Sequence, residues 1–599
     1  MSSSAGQSSN SGQDVLSLLP QFINLLRSPS IPAIPLPTLL GAITHFLCNL
    51  DSPHLEGFIS ALVTSPFLWS DIDSTVDDVR NTIRLAVPAR ISKINQETQN
   101  VYFAETRKKR RAREWLHVCV KSAVAIEDGP GTYSFLFGIL QGLDDTQDLD
   151  WGKERVNLEE TAVLFLAGKM NTSRDTVKEL CIVIPHIALE RLQALDMEKL
   201  VSAIDLNFHA TFDILTRQFE QEGPTLARAL ARSFEVLESG GPSSRKFAWE
   251  SMKRFCMEVK GRADNWEKEW IIKDIRSDAN EWQKRKTAFF SFLLVSSTIL
   301  EILLRDNLQA PGTLFGGSES SSDIAAHILS ELASFAYLTE ESQGGFENYH
   351  EILYGCLDII DTRAGTQGVR KLFDLVCEDA DMSDARAGFV LVLGEELVHH
   401  LGKKQIDMLF PLAERHVVRP SHHASFEASH AFMLTLLKSS AASLESSHSQ
   451  EAFFDALLPN YLDILTKQYR SDEITPEQFR QAFPLIVGSS SKRSPDAVQN
   501  CLSALSTMPE TAEIRKIRVS ITPYIPSTDL PLYLDDLAQM IVRTGTDSEE
   551  RLDLVKSAFE MIVRDMSDAH RSIGIDWWLK WKTEFEGTDR QVGFIRSRL

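Results

Sequence analysis

"TDSEERLDLVKSAFEMIV", Thr546 to Val563, is the stretch that decides the fold class. Leu552, Val555, Phe559 and Ile562 recur at the spacing that gathers side chains on one face of an α-helix. Thr546 and Glu549 ahead of them have the separation of a capping box, in which the hydroxyl serves one free N–H of the first turn and the carboxylate another. The same device opens "TPEQFRQAFPLIV": Thr475 is the expected cap, Pro476 takes the first helical position, and Gln478 follows three residues after the cap.

Outward from these two stretches, nearly every readable segment keeps the helical period. The units run to roughly 10 to 20 residues and are broken by short Ser, Gly or Pro stretches, as in helical hairpins. Alternating strand patterns closed by Asn-Gly or Asp-Gly turns do not occur, so the expected class is all-α. No tetratricopeptide or ankyrin period emerges. "SFEASHAFMLTLLKSS", Ser425 to Ser440, resembles the inner helix of a HEAT or armadillo repeat. The expected architecture is therefore an irregular HEAT/armadillo-like α-solenoid of stacked helical hairpins, with a set of unrelated helical bundles as its competitor.

Composition shifts suggest the domain limits. The polar opening "MSSSAGQSSNSGQ" predicts a disordered tail over 1–13. A first helical array follows over 14–307, and "LQAPGTLFGGSESSSD" predicts a Gly/Ser-rich linker over 308–323. A second array spans 324–587, and 588–599, with no strong helical period, reads as a flexible tail.

Bulk properties narrow the function. A net charge of −21 and a pI near 5.2 argue against nucleic acid as the main partner, because a polyanion needs a net basic face. The seven cysteines stand singly with no C-x-x-C, which suggests reduced thiols in a core. "AFFSFLLVSSTILEILL", Ala288 to Leu304, carries Glu301 and falls short of the ~20 residues a spanning helix needs. It reads as a buried core helix.

A search for catalytic equipment finds none. Phosphate-binding loops, dinucleotide fingerprints, nucleophile elbows and zinc-protease helices are absent. A calcium loop from Asp379 fails, because Asp384 stands where the sharp turn needs glycine and Val390 where a bidentate glutamate belongs. His416, His422, His423 and His430 cluster in sequence, but no cysteine or suitably spaced carboxylate joins them as a zinc set. The expectation is a protein that is not an enzyme and holds no cofactor or metal.

Two further stretches invite partners. "RKKRRAR", Arg107 to Arg113, reads first as a solvated helical turn, and otherwise as a nuclear signal, an anionic-lipid patch or a dock for an acidic partner. Trp577, Trp581 and Phe585 share a helical face that is expected to pack inward as the closing helix of the array, with Gly587 at the helix stop. At the end of the chain, Ser597, Arg598 and Leu599 match the small–basic–leucine pattern of the peroxisomal targeting tripeptide. A receptor for such a tail holds the free carboxylate. Leu599 would fill an apolar slot, and Arg598 would face an acidic wall.

"PLPTLLGAITHFLCNLDSPHLEGFISALVTSPFLW", Pro35 to Trp69, together with the Ser597-Arg598-Leu599 ending, resembles the peroxin-8 family of fungal intraperoxisomal peroxins. The resemblance implies a peripheral protein on the lumenal face of the peroxisomal membrane. Such a protein links the receptor-docking subcomplex to the RING subcomplex and binds the import receptor so that cargo is released. Its implied partners are the targeting-signal import receptor, the docking-complex and RING-complex peroxins and the membrane itself. Only Ser597, Arg598 and Leu599 carry over as targeting and receptor-binding residues. The N-terminal-type import signal of some members finds no match at Arg84-Leu85 or Arg191-Leu192, so import would rest on the tail. A peroxisomal matrix enzyme of an unrecognised helical class, and a cytosolic HEAT-type adaptor with an accidental ending, are the alternatives.

Overall fold

The computed structural model describes residues 10–29, 34–69, 73–99, 102–126, 129–146, 148–169, 174–214, 217–272, 278–306, 321–342, 345–346, 348–378, 382–442, 448–545 and 548–586. Among them there is helix, 3-10 turn and loop but no strand. Contacts divide the chain into two compact units. One consists of Met1–Trp266, Ile272–Ile324 and Phe346–Gly355, the other of Glu267–Ile271, Ala325–Gly345 and Cys356–Leu599.

The first unit runs through α1 (Asn10–Arg27), α2 (Leu36–Asn49), α3 (His54–Val63), α4 (Asp73–Thr98), α5 (Ala104–Val124), α6 (Thr132–Asp144), α7 (Lys153–Lys169), α8 (Arg174–Val183), α9 (Leu189–Leu192), α10 (Met197–Ile214), α11 (Arg217–Glu238), most of α12 (Pro242–Ile272) and α13 (Ala279–Asp306). Helices two apart in sequence stack on each other. One row is α2, α4, α6 and α8, and the other is α1, α3, α5, α7 and α9. Most sequential helices also touch across the rows, the repeating arrangement of a HEAT-like solenoid.

In the second unit, most of α14 (Ser321–Ser334) and α15 (Ala336–Glu341) precede the second half of α16 (Tyr349–Arg363), then α17 (Gly365–Val376), α18 (Asp384–Glu396), α19 (Lys403–Val417), α20 (His423–Ala442), α21 (His448–Arg470), α22 (Pro476–Ser491), α23 (Pro495–Ser506), α24 (Ala512–Ile521), α25 (Leu530–Arg543), α26 (Glu549–Arg564) and α27 (Asp568–Glu586). The stacking rule returns: α18, α20, α22, α24 and α26 form one row, and α21 stacks on α23 and α25 on α27 in the other. The fold is an all-α, irregular HEAT/armadillo-like α-solenoid of stacked helical hairpins. Ser425, Phe426, Ser429, Phe432, Met433, Leu436 and Leu437 of α20 are all buried, as an inner helix touched on several sides requires.

Close approach within the rows depends on glycine. A Cβ added to Gly138 of α6 would lie 2.8 Å from the Arg80 carbonyl oxygen, and one on Gly142 would lie 2.6 Å from that of Arg84. Both acceptors are backbone of α4, which cannot swing away as a side chain can. The Gly-x-x-x-Gly face therefore sets how tightly α4 and α6 pack.

Several expectations meet their test here. The Thr475 capping box is present: the Gln478 N–H donates to the Thr475 hydroxyl at 3.2 Å, and the Thr475 N–H donates to the Gln478 side chain at 2.8 Å. Thr546 lies outside the described residues, and α26 does not begin with the expected Thr546–Glu549 box. Ser548 is the cap, its hydroxyl accepting the Arg551 N–H at 3.2 Å, and Arg551 holds the position a box would give to Glu or Gln. Serine caps at least as well as threonine, and this start puts Glu549 and Glu550 at the positive end of the helix dipole.

The inward face of α26 also differs from the predicted one. Leu554, Ala558, Met561 and Ile562 are buried, while Leu552 and Phe559 are 65% and 41% exposed. The helix carries two apolar stripes at helical spacing, and the neighbours select the one with the small Ala558. Helix α1 starts at Asn10, so the last residues of the tail expected over 1–13 are helical, and α14 starts at Ser321, inside the linker expected over 308–323. The remainder of that linker, 308–320, and the tail 588–599 lie outside the described residues.

The apolar run Ala288–Leu304 forms the second half of α13, which packs on α11. Phe289, Phe292, Val295, Ile299 and Leu303 are fully buried, while Glu301 turns outward and pairs with Arg305 at 2.9 Å. By length and composition alone this is one helix able to cross a membrane, and 61% of its most apolar window is buried inside the protein.

Candidate functional site

Ser597, Arg598 and Leu599 lie outside the described residues, so the candidate surfaces that can be built from geometry are those of the helical array.

The histidines of the 416–430 stretch do not converge on one point: His416 and His422 share Ser425, while His423 and His430 turn to other partners. His416 Nδ1 lies 3.1 Å from the Ser425 hydroxyl and His422 Nδ1 2.9 Å from the same oxygen. His422 Nε2 reaches Glu340 at 3.3 Å, His423 reaches Glu427 at 3.2 Å, and His430 Nδ1 meets the Tyr461 hydroxyl at 2.9 Å. Burial holds His416 below its ordinary pKa and pushes His430 down to about 4, whereas the bond to Glu340 raises His422. Four imidazoles with four environments are a packing solution. Among the described residues no group of three or more His, Cys, Asp or Glu is placed to hold a metal.

The failed calcium loop has a structural role instead. Asp379 and Asp381 lie outside the described residues, and Asp384 opens α18 behind the cap Ser383. Glu267, at the end of α12, accepts from the Ser383 hydroxyl at 2.6 Å and from its N–H at 3.0 Å. Its other oxygen takes Arg386 Nη1 at 2.8 Å, and Arg386 Nη2 donates to the Val376 carbonyl at 2.9 Å. Glu267 and Arg386 are 2% and 1% exposed, so both charges depend on each other and on these hydrogen bonds.

In α27 the aromatic stripe packs inward as expected. Trp577 and Phe585 are each 5% exposed with ring centroids 5.6 Å apart, and the Trp581 indole N–H donates to Asp535 at 3.0 Å. The other stripe of the helix faces out: Ile575 and Leu579 are 46% and 66% exposed. Phe559 of α26 lies 5.1 Å from the half-buried Trp578 ring, so the outward stripes of the last two helices meet. A groove of about 650 Å³ beside Arg518, Tyr533 and Arg543 has its charges partly answered in place, by Arg515–Glu550 at 2.7 Å and Arg518–Glu510 at 3.5 Å.

The basic run divides into two halves. Arg111 pairs with Glu97 at 2.6 Å and Arg113 with Asp150 at 2.7 Å, tying α5 to its neighbours, and Trp115, Leu116 and Cys119 below them are buried. Arg107, Lys108 and Lys109 make no ion pair among the described residues, and Arg110 holds Glu114 only loosely at 3.5 Å. Next to this half stand Tyr102 and Phe103, 87% and 77% exposed. Sequence reading stopped at the charges and missed the aromatic pair, although it lies only a few residues upstream.

The thiols offer no reactive centre. Cys119, Cys181, Cys256, Cys356 and Cys501 are buried, and burial pushes the Cys119, Cys181 and Cys356 thiols far up and Cys377 and Cys501 up to about 11.

No protein-family model matches the chain, and no curated protein matches it. Solved structures do match. A Kap121p mutant is 11% identical over 95% of this chain and 58% of its own, at a TM-score of 0.30. Yeast importin-beta (Kap95p) is 11% identical over 97% and 80%, at 0.27, and the S. pombe condensin Cnd3–Cnd2 subcomplex 13% identical over 97% and 89%, at 0.23. The chain thus spans 58% of the length of the Kap121p chain. At TM-scores this low, nothing about activity or partners follows.

Proposed function

We propose that this chain is a non-enzymatic scaffold of peroxisomal matrix-protein import, peripheral on the lumenal face of the peroxisomal membrane. The observation that carries the reading is the Ser597-Arg598-Leu599 ending on a long helical array that has no catalytic or metal-binding constellation among its described residues. Stacked hairpins offer long faces to proteins, and exposed apolar stripes such as Ile575 and Leu579 are the kind of surface that partners cover. In this reading the tripeptide binds the import receptor, Leu599 through its side chain and carboxylate and Arg598 through its charge. The array holds the docking and RING subcomplexes together, and receptor engagement aids cargo release.

The test is deletion of Ser597–Leu599 in a fluorescently tagged full chain, with the tag at the N-terminus, combined with affinity purification from peroxisomal membranes. The expected result is punctate peroxisomal fluorescence that becomes diffuse on deletion, and co-purification of docking and RING components with the parent chain. Diffuse fluorescence of the parent overturns the localisation, and unchanged receptor binding by the deleted chain overturns the role of the tail.

A further inference from the structure

We propose that the turn entering α5 is a membrane-contact site, in which Tyr102 and Phe103 insert into the headgroup layer of an anionic bilayer while Arg107, Lys108, Lys109 and Arg110 hold its lipid phosphates. The inference rests on the peripheral-membrane reading above and names the surface through which that contact is made.

The aromatic pair is the first observation. Tyr102 and Phe103 are 87% and 77% exposed, with ring centroids 6.1 Å apart, where the α4–α5 hairpin turns. Leaving two adjacent large rings in water has a cost that a soluble turn has no reason to carry. Phe103 is also held at φ 60°, a region bulky side chains rarely adopt. An outlier of that kind points to a role. The position is not a frayed end: the Phe103 carbonyl accepts the Arg107 N–H at 3.0 Å, so Phe103 is the N-cap of a regular helix and Tyr102 stands just ahead of it.

Charge is the second observation. In a chain of net charge −21, four consecutive basic residues follow the rings within two turns. Three have no ion pair among the described residues, and the Arg110 side chain is 69% exposed. The later half of the run is spent on Glu97 and Asp150, so the charges nearest the rings are the ones left for an outside anion.

Aromatic rings at headgroup depth, flanked by long basic side chains whose stems reach along the apolar boundary, are the pattern of an interfacial anchor. A bilayer is favoured over an acidic protein because the rings stand at a turn, where a flat surface is met first. Each basic residue near an anionic surface adds to the attraction, which salt weakens.

Flotation of the purified full chain with phosphatidylcholine vesicles, and with vesicles in which about 30% of the lipid is phosphatidylserine, tests the site. The parent is expected to float with the anionic vesicles only, and less as salt rises. Charge reversal by Arg107→Glu, Lys108→Glu and Lys109→Glu together is expected to lower the partition coefficient by about tenfold or more. Tyr102→Ala with Phe103→Ala is expected to abolish flotation even at low salt. Far-UV circular dichroism and the melting midpoint verify the fold, and the single change Lys108→Glu replaces the triple if the latter unfolds.

A parent that does not float, floats equally with neutral vesicles, or floats unchanged after both sets of substitutions overturns the proposal. Binding to poly-glutamate without flotation overturns it in favour of an acidic protein partner. A chain lacking Ser597–Leu599 is expected to float as the parent does, so loss of organelle targeting and loss of this contact are read separately.

Discussion

The two units hold their helices by different chemistry. In the first, α4 and α6 approach through Gly138 and Gly142, where the absence of a side chain brings backbone against backbone. In the second, the end of α12 meets the start of α18 through the buried pair Glu267–Arg386, and α20 is threaded by polar atoms: Ser425, Ser429, His416 and His430 all sit within or against it. Glycine contact is enforced by steric fit, and its failure is graded. A buried charge fails abruptly, because losing one partner strands the other in low dielectric.

That contrast predicts where the molecule breaks hardest. Glu267→Ala leaves Arg386 buried without its carboxylate and is expected to cost about 3–5 kcal/mol. Hydrogen exchange of the α18 amides reads the loss, and protection equal to the parent's would show that the pair is dispensable.

The next largest effect is set by pH. Folded His430 stays neutral down to about 4, while the unfolded chain takes the proton near the ordinary imidazole value of about 6.5. Between these values the unfolded state binds more protons, so stability is full above pH 6.5 and falls as pH drops toward 4. The loss approaches about 3 kcal/mol at the acid end, at roughly 1.4 kcal/mol per pKa unit. Denaturation midpoints over this range should flatten in His430→Gln. His422, raised by Glu340, works in the opposite direction, so its contribution is present below its unfolded pKa and is lost as pH rises through its folded one.

In the first unit, Gly142→Ala drives a methyl to 2.6 Å from the Arg84 carbonyl and to 2.6 Å from a Val87 methyl. Overpacking of this kind costs about 1–3 kcal/mol, more than the roughly 1 kcal/mol of helix propensity that alanine brings. Gly41, with nothing within 4 Å of an added Cβ, is the matched control, and Gly41→Ala should stabilise slightly. The smallest effect is Thr475→Ala, which removes the α22 cap at about 1 kcal/mol and lowers the thermal midpoint without touching the core.

Local chemistry was readable in part, since the cap of α22 was placed at Thr475 while that of α26 proved to be Ser548 instead of Thr546, and distant pairing was not readable at all. The Thr475–Gln478 box involves neighbours, so residue types and spacing were enough. The all-α class followed from period alone, and the inward packing of Trp577 and Phe585 followed from the need to close an array. The burying face of α26 could not be chosen, because Leu552–Phe559 and Leu554–Met561 both have helical spacing and only the neighbouring helices distinguish them. Glu267 and Arg386 stand 119 residues apart, and no local signal marks them as partners. Of the candidate sites, the tripeptide was legible as a motif. The aromatic pair at 102–103 depended on exposure, which a sequence does not display.

The buried cysteines have a practical consequence. Cys119 lies in the first unit and Cys356 in the second, each at zero exposure and each with its thiol held in the unreactive protonated form. An alkylating reagent reaches either sulfur only when its surrounding helices open. Cys181 and Cys256 add to Cys119 in the first unit and Cys501 to Cys356 in the second, so each unit carries its own internal clocks, whose labelling rates, read site by site, time its breathing without any engineered probe.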